Sequence, residues 1–274
     1  MITYAHFDEP LSRDIFMLKN KRHFEILEIL KKEQFAEVKA LAERLYSSQP
    51  TIRRDLCFLE DKGYVKRSHG GVMLANESTS VPFSFRRSTR SKEKANICRL
   101  AATLINEGDM IFLDASSTTA HLCDHIVRIE GASVMTNSCL ACLELGESNV
   151  QVYSTGGSFF KSSKAFVGPR AEETCRKFCA DIMFFSSSSF DENGVISDYS
   201  ESENSLRRVM YESSRKRVFL CDSSKFGKRS AYREFSLDEI DFIVTDAPVS
   251  SEILSRYGFA ETAADGSAFM YEKK

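Results

Sequence analysis

The chain has 274 residues, 42% hydrophobic and 28% charged, with a net charge of −2. These proportions describe an ordinary globular protein of two domains, one small and one of medium size. No apolar run approaches the ~20 residues of a membrane span, and the opening MITYAHFDEPLSRDIF lacks the basic-then-apolar order of a signal peptide, so a cytoplasmic protein with no membrane partner is expected.

The small net charge hides an asymmetry. Residues 17–94 hold 17 Lys and Arg against 10 Asp and Glu, whereas residues 95–274 hold 19 against 26. A basic N-terminal module on an acidic body points to a polyanion as partner of the first part only.

Residues 1–16 show little periodicity and read either as an extension or as sequence upstream of a start at Met17. Arg22 to Lys32 carries Phe24, Ile26, Leu27, Ile29 and Leu30, an amphipathic helix. After a short connection at Lys32–Phe35, Glu37 to Leu45 gives a second helix with Val38, Leu41, Ala42 and Leu45 at helical spacing. Tyr46-Ser47 is the turn. The stretch SQPTIRRDLCFL then opens a third helix, with Ser48 as N-cap and Pro50 at its second position, ending near Lys62 with Gly63 as cap. Ser48, Gln49, Thr51, Arg53 and Arg54 are side chains that reach base edges and phosphates when a helix end enters a major groove. Two short strands around Ser68-His69-Gly70-Gly71 complete a winged helix-turn-helix over 17–75.

A linker is expected over 76–94, with five basic residues from Phe83 to Lys94, followed by a helix from Ala95 to Ile105. Strands at 110–113, 133–136, 150–154, 182–185, 217–221 and 240–244 alternate with helices through 95–250. That order implies an α/β domain with a parallel sheet covered on both faces, its ligand bound at the carboxyl ends of the strands. Residues 251–274 are expected to pack on this domain.

Of eight cysteines, Cys139 and Cys142 form a CxxC and Cys175 and Cys179 a CxxxC. Neither pair reaches a four-ligand zinc signature, and the cysteines read as reduced, mostly buried thiols. His121 and His125 have metal spacing on a helix but no third ligand, so no metal is expected.

The run Arg22, Ile26, Leu30, Ser48, Thr51, Ile52, Arg53, Arg54, Asp55, Leu56, closed by Lys66-Arg67-Ser68-His69-Gly70-Gly71, resembles the helix-turn-helix of DeoR-family transcriptional regulators. Phe85-Arg86, Glu93-Lys94, Asp114 with Ser116–Thr119, Thr136-Asn137-Ser138, Thr155-Gly156-Gly157, Gly168-Pro169 and Asp222–Phe226 continue in that family's order, to about residue 250. The resemblance implies a C-terminal sensor domain similar to ribose-5-phosphate isomerase and CoA-transferase folds. It also implies a role as repressor of a carbohydrate-metabolism operon, answering to a phosphorylated sugar and needing no other cofactor.

The chemistry of the residues agrees. Ser116, Ser117, Thr118 and Thr119 follow a strand and open a helix, where hydroxyls and free N–H groups cradle a phosphate or merely cap the helix. Gly156 and Gly157 let a ligand approach the backbone or form a plain turn. Lys225 adds charge for an anion, and Asp222 and Asp114 meet sugar hydroxyls or serve a salt bridge and a loop cap. Asn137 joins this set by its place in the family's order. One departure stands out: Ser186-Ser187-Ser188-Ser189-Phe190-Asp191 replaces a small Gly-containing loop, and should alter which effector fits.

On this reading Arg53 and Arg54 contact phosphate or guanine, and Gln49 and Thr51 read bases. Lys66, Arg67 and His69 touch the backbone of a double-stranded operator from the wing, in a homo-oligomer on paired half-sites. The competing reading is a sugar-phosphate isomerase with an accessory DNA-binding domain. It needs an acidic base beside the phosphate loop, and Ser186–Ser189 offers no carboxylate before Asp191 and Glu192; no catalytic residue is therefore assigned.

Overall fold

A computed structural model describes residues 21–30, 33, 35–62, 64–68, 71–74 and 83–274. Residues 1–16, Met17, Lys32, Gly63, His69, Gly70 and the stretch 76–82 lie outside the described residues. The chain divides into two compact units, Met1–Val81 and Pro82–Lys274.

In the first unit, α1 (residues 21–30) buries His23, Ile26, Leu27 and Leu30, one face at i, i+3, i+4, i+7. α2 spans Val38–Arg44 and α3 Gln49–Asp61. α3 forms where the sequence asks for it. The Ser48 hydroxyl accepts from Thr51 N–H, Pro50 sits where no N–H is needed, and Ile52, Asp55, Leu56 and Leu59 turn one face inward. These apolar side chains join Ile26, Leu27, Leu30, Leu41, Val65 and Val72 in one core. Each fully buried Leu or Ile stabilises it by about 1.5–3 kcal/mol.

The wing has a strand that the sequence did not announce. β1 (Phe35–Glu37), read above as connection and helix start, pairs antiparallel with β3 (Gly71–Leu74), which also pairs with β2 (Val65–Ser68). Three residues are too few to show a period. Gly71 makes the pairing possible: a Cβ there would stand 2.2 Å from the Phe35 ring and 2.8 Å from the Ala36 carbonyl oxygen.

The second unit begins in helix. The expected linker is, in its described part, α4 (Phe83–Ser88) followed by α5 (Ser91–Ala101). In order come β4 (Met110–Leu113), α6 (Cys123–Ile126), β5 (Ser133–Thr136), α7 (Cys139–Gly146), β6 (Gln151–Ser154), β7 (Ser158–Phe160), β8 (Ala165–Val167) and α8 (Pro169–Cys175). Then follow β9 (Ala180–Phe185), β10 (Ser189–Phe190), β11 (Val195–Asp198), α9 (Glu201–Glu212), β12 (Ser214–Cys221), β13 (Tyr232–Ser236), β14 (Phe242–Thr245), α10 (Ser251–Tyr257), β15 (Phe259–Ala264) and β16 (Phe269–Lys273).

Eight strands make the main sheet, in the order β15-β16-β14-β12-β9-β4-β5-β6. The six from β14 to β6 are parallel, as the alternation of strands and helices requires. β16 and β15 add antiparallel at one end, so the C-terminal segment extends the sheet as well as packing on it. One core, with Ile97, Ile111, Leu113, Val134, Ile182, Phe184, Val218 and Leu220, lies on one face of the sheet. The other, with Phe112, Met183, Phe185, Phe219, Leu206 and Met210, lies on the opposite face. The alternation within β4 and β9 sends neighbouring residues to opposite cores. The small β10-β11-β13 sheet and the β7-β8 hairpin were not legible from pattern.

Candidate nucleic-acid interface and effector site

At the start of α3, Ser48, Gln49, Arg53 and Arg54 are exposed and Thr51 is half-buried. The Ser48 and Thr51 hydroxyls lie 2.8 Å apart. The buried side of α3 holds its one charge, Asp55, between His23 (Nε2 to Oδ1, 3.0 Å) and Arg22 (Nε to Oδ2, 2.5 Å). Burial alone raises a carboxyl's pKa; the hydrogen bonds from His23 and Arg22 outweigh it and hold Asp55 below its ordinary value. Arg22 and Asp55 thus anchor α1 to α3 and keep the Arg53-Arg54 face turned out. His23 was missed because a single His on a helix carries no distinguishing signal.

The wing cations differ from one another. Lys66 is exposed, while Arg67 donates from its guanidinium to Glu60 and to Cys57 Sγ (2.9 Å) on α3. Arg67 therefore braces the wing against α3, an employment its sequence position did not show. His69 lies outside the described residues. The turn before α3 holds Tyr46 in the left-handed region (φ 48°), 98% exposed. A bulky residue there is a backbone outlier of the kind found at functional positions.

In the second unit the carboxyl ends of β4, β9 and β12 bring several expected residues together. Lys225 Nζ donates to Ser186 Oγ (2.6 Å) and Thr118 Oγ1 (3.4 Å) and stands 3.7 Å from Asp222. Lys94, on the buried face of α5, donates to Ser117 Oγ (3.3 Å) and to the Arg86 carbonyl of α4. Burial, with the nearby charge of Lys225, pushes the Lys94 ammonium down to about 7. Arg90, another non-glycine residue at positive φ (53°), pairs with Asp222 and Asp246. Burial raises Asp222, but Lys225 and the Ser224 hydroxyl outweigh it and keep it below the ordinary range. Asn137 is buried, donates to the Phe166 carbonyl, and leaves its Oδ1 without a hydrogen-bond partner among the described residues.

Other expected residues turn inward. Asp114 accepts from Ser116 N–H (3.0 Å), Thr119 Oγ1 (2.8 Å) and Arg207 Nη1 (3.2 Å), and Thr119 is fully buried on it. Ser116 caps Thr119 N–H. The helix expected to run from this loop to Val127 is a 3-10 turn at Thr119–Leu122 and the single turn of α6, so the loop does not open a long helix dipole. At Gly157 (φ 109°) the close approach is made by the chain itself, because a Cβ would meet the Val167 carbonyl oxygen at 2.7 Å; Gly156 (φ 60°) faces open space.

Three carboxylates the sequence scattered also gather beside the Ser186–Ser189 loop. Asp114, Asp198 and Glu234 all ion-pair with the buried Arg207 guanidinium. Carboxylates thus lie beside this loop, supplied by other elements, and all three face the same guanidinium. Burial pushes Glu234 up to about 8 despite Arg207, with Asp198 adding to the rise.

A cleft of about 620 Å³ opens elsewhere in the unit, lined by residues including Phe83, Arg87, Ser91, His121, Asp124 and Lys164; none of the candidate effector residues lines it. The eight cysteines are free thiols. Among the described residues no three His, Cys, Asp or Glu side chains are grouped to hold a metal, and no helix is long and apolar enough to cross a membrane.

Comparison with known proteins then decides the family. The DeoR-like helix-turn-helix domain matches residues 22–78, and the DeoR C terminal sensor domain matches residues 89–247. The chain belongs to the DeoR family. It is therefore a DNA-binding transcription regulator and not an enzyme. It is 35% identical to the HTH-type transcriptional regulator YulB of Bacillus subtilis, over 84% of this chain and 90% of that protein. It is 27% identical to the glycerol-3-phosphate regulon repressor of Escherichia coli, over 85% and 92%. Ribose 5-phosphate isomerase A of Methanocaldococcus jannaschii overlaps 66% of this DeoR regulator and 79% of its own chain, at 13% identity and a TM-score of 0.39. A likeness of that size fixes neither a substrate nor a reaction.

Proposed function

We propose that this regulator represses a carbohydrate-metabolism operon in the cytoplasm and that a phosphorylated sugar changes its hold on the operator. The observation that carries the effector half is the convergence of Lys94 and Lys225 on Ser117, Thr118 and Ser186. Lys94 is buried among cations and pushed to about 7, which is the setting of a site awaiting an anion. Asn137 Oδ1, buried and unpaired, suits a sugar hydroxyl donor. Asp222 orients Lys225; Asp114, Ser116 and Thr119 shape the loop, and Gly156 keeps open space at the turn after β6. The name of the Escherichia coli relative, a glycerol-3-phosphate regulon repressor, fits the same ligand class.

For DNA, Arg53 and Arg54 take phosphate or guanine, and Ser48, Gln49 and Thr51 reach base edges or phosphate at the end of α3. Lys66 and His69 touch the backbone, and Arg67 holds the wing to α3. A homo-oligomer places two such helices on paired half-sites. Effector control follows when the sugar phosphate binds one of two states more tightly. The contact from Lys94 to the Arg86 carbonyl links the anion site to α4, in the basic segment that follows the DNA-binding unit.

The test is thermal stability with a panel of phosphorylated sugars, each beside its unphosphorylated counterpart, for the wild type and Lys225→Ala. A phosphorylated member should raise the melting temperature of the wild type alone, as a ligand of the folded state does. Equal shifts for a sugar and its phosphate, or an unchanged response in Lys225→Ala, would sink the site.

A further inference from the structure

β6 ends the main sheet on one side and β15 on the other. An end strand exposes a row of unpaired N–H and C=O groups, and proteins blunt such edges with charge, bulges or cover. The two ends are finished differently. β15 carries Glu261, and its register with β16 slips between Glu261 and Ala263. β6 is Gln-Val-Tyr-Ser, in unbroken register with β5 from Ser133↔Gln151 to Thr136↔Ser154. From Ser148 to Phe160 the sequence holds no charged residue.

Exposed apolar side chains lie on β6 and on the elements next to it in the chain. Tyr153 in β6 is 38% exposed. Leu143, 64% exposed, lies on α7, which packs against β6. Phe159, 52% exposed, lies on the β7-β8 hairpin that follows β6 in the chain.

We propose that β6 pairs antiparallel with β6 of a second copy of this chain, joining two eight-stranded sheets about a two-fold axis. Two identical strands laid antiparallel are self-complementary, because every bond from residue i of one copy to residue j of the other is repeated from i of the second copy to j of the first. Identical charged edges would repel, and this edge has no charge with which to do so. Four residues of strand alone fall short of the ~1,200 Å² of a stable interface; Tyr153, Leu143 and Phe159, repeated on both copies, extend it with apolar area. The proposal rests on the homo-oligomer reading above and gives it a surface.

The experiment uses the full chain. Sedimentation equilibrium gives mass against concentration, and hydrogen exchange of amides 150–155 is read above and below the transition. The wild type should associate, and those amides should exchange at least tenfold more slowly in the associated form. Gln151→Lys and Tyr153→Lys should each raise the association midpoint at least tenfold with unchanged circular dichroism, while Glu261→Lys should not. Gln151 is exposed, so its variant serves if Tyr153→Lys fails to fold. A chain that stays monomeric overturns both this pairing and the homo-oligomer reading. An oligomer whose 150–155 amides exchange equally fast at both concentrations, or a Gln151→Lys chain with wild-type mass, overturns the β6 pairing alone.

Discussion

Two groups of cations in this chain stand in opposite electrostatic settings. Arg53 and Arg54 are exposed to solvent at the start of α3, with Asp55 of the same helix held inside by Arg22 and His23. Lys94 and Lys225 are drawn in toward the hydroxyls of Ser117, Thr118 and Ser186, and burial, with the charge of Lys225 nearby, pushes the Lys94 ammonium down to about 7. Solvated cations suit a long polyanion, whose binding is driven by counterion release. Desolvated cations suit one small anion that replaces the water they have lost.

The largest expected effect tests the frame behind the second group. Arg207→Met removes the one cation that Asp114, Asp198 and Glu234 share. Leaving those buried carboxylates without it should cost the sensor unit about 3–5 kcal/mol in urea unfolding; an unchanged midpoint would mean that the cage is not formed. Next come Arg53→Ala and Arg54→Ala. Each should weaken binding to a duplex selected from a random pool by about tenfold or more, flatten the salt dependence, and leave the melting curve in place.

A smaller effect separates the two groups by pH. An anion beside Lys94 raises its folded pKa from about 7, so binding takes up a proton at pH values between about 7 and the raised pKa. Sugar-phosphate affinity should therefore fall between pH 7 and 9, by at most about tenfold per unit, whereas duplex affinity should not follow that fall. Isothermal titration in buffers of different ionisation enthalpy reads the proton directly; equal heats in all buffers would break the contrast. The smallest effect is at the turn. Tyr46→Gly relieves a left-handed residue and should raise stability by about 1 kcal/mol, and a lowered melting temperature would show that the Tyr46 ring holds the turn.

Much of this frame was legible before the structure. α3 announced itself through Ser48, Pro50 and the inward face Ile52, Asp55, Leu56 and Leu59. The parallel strands did so because several, among them β4, β9 and β12, are apolar runs leading into a polar loop. β1, β10 and β15 escaped because strands of two or three residues, or at an edge, show no usable alternation. Lys94 was read as a linker charge, yet it stands at i of the stripe Lys94, Ile97, Cys98, Ala101, and that spacing already placed it on the buried face of α5. Arg207 gave a similar signal beside Leu206 and Met210. Its three carboxylate partners are 9, 27 and 93 residues away, and only the folded sheet brings them together.

The most direct test of regulation through the strand-end cluster is the affinity of the selected duplex for wild type and Lys225→Ala, with and without each phosphorylated sugar of the panel. One sugar phosphate should change wild-type affinity by about fivefold or more, while Lys225→Ala binds the duplex as the wild type does and ignores the sugar. A Lys225→Ala protein that responds like the wild type, or a wild type that responds to none of the panel, would contradict it.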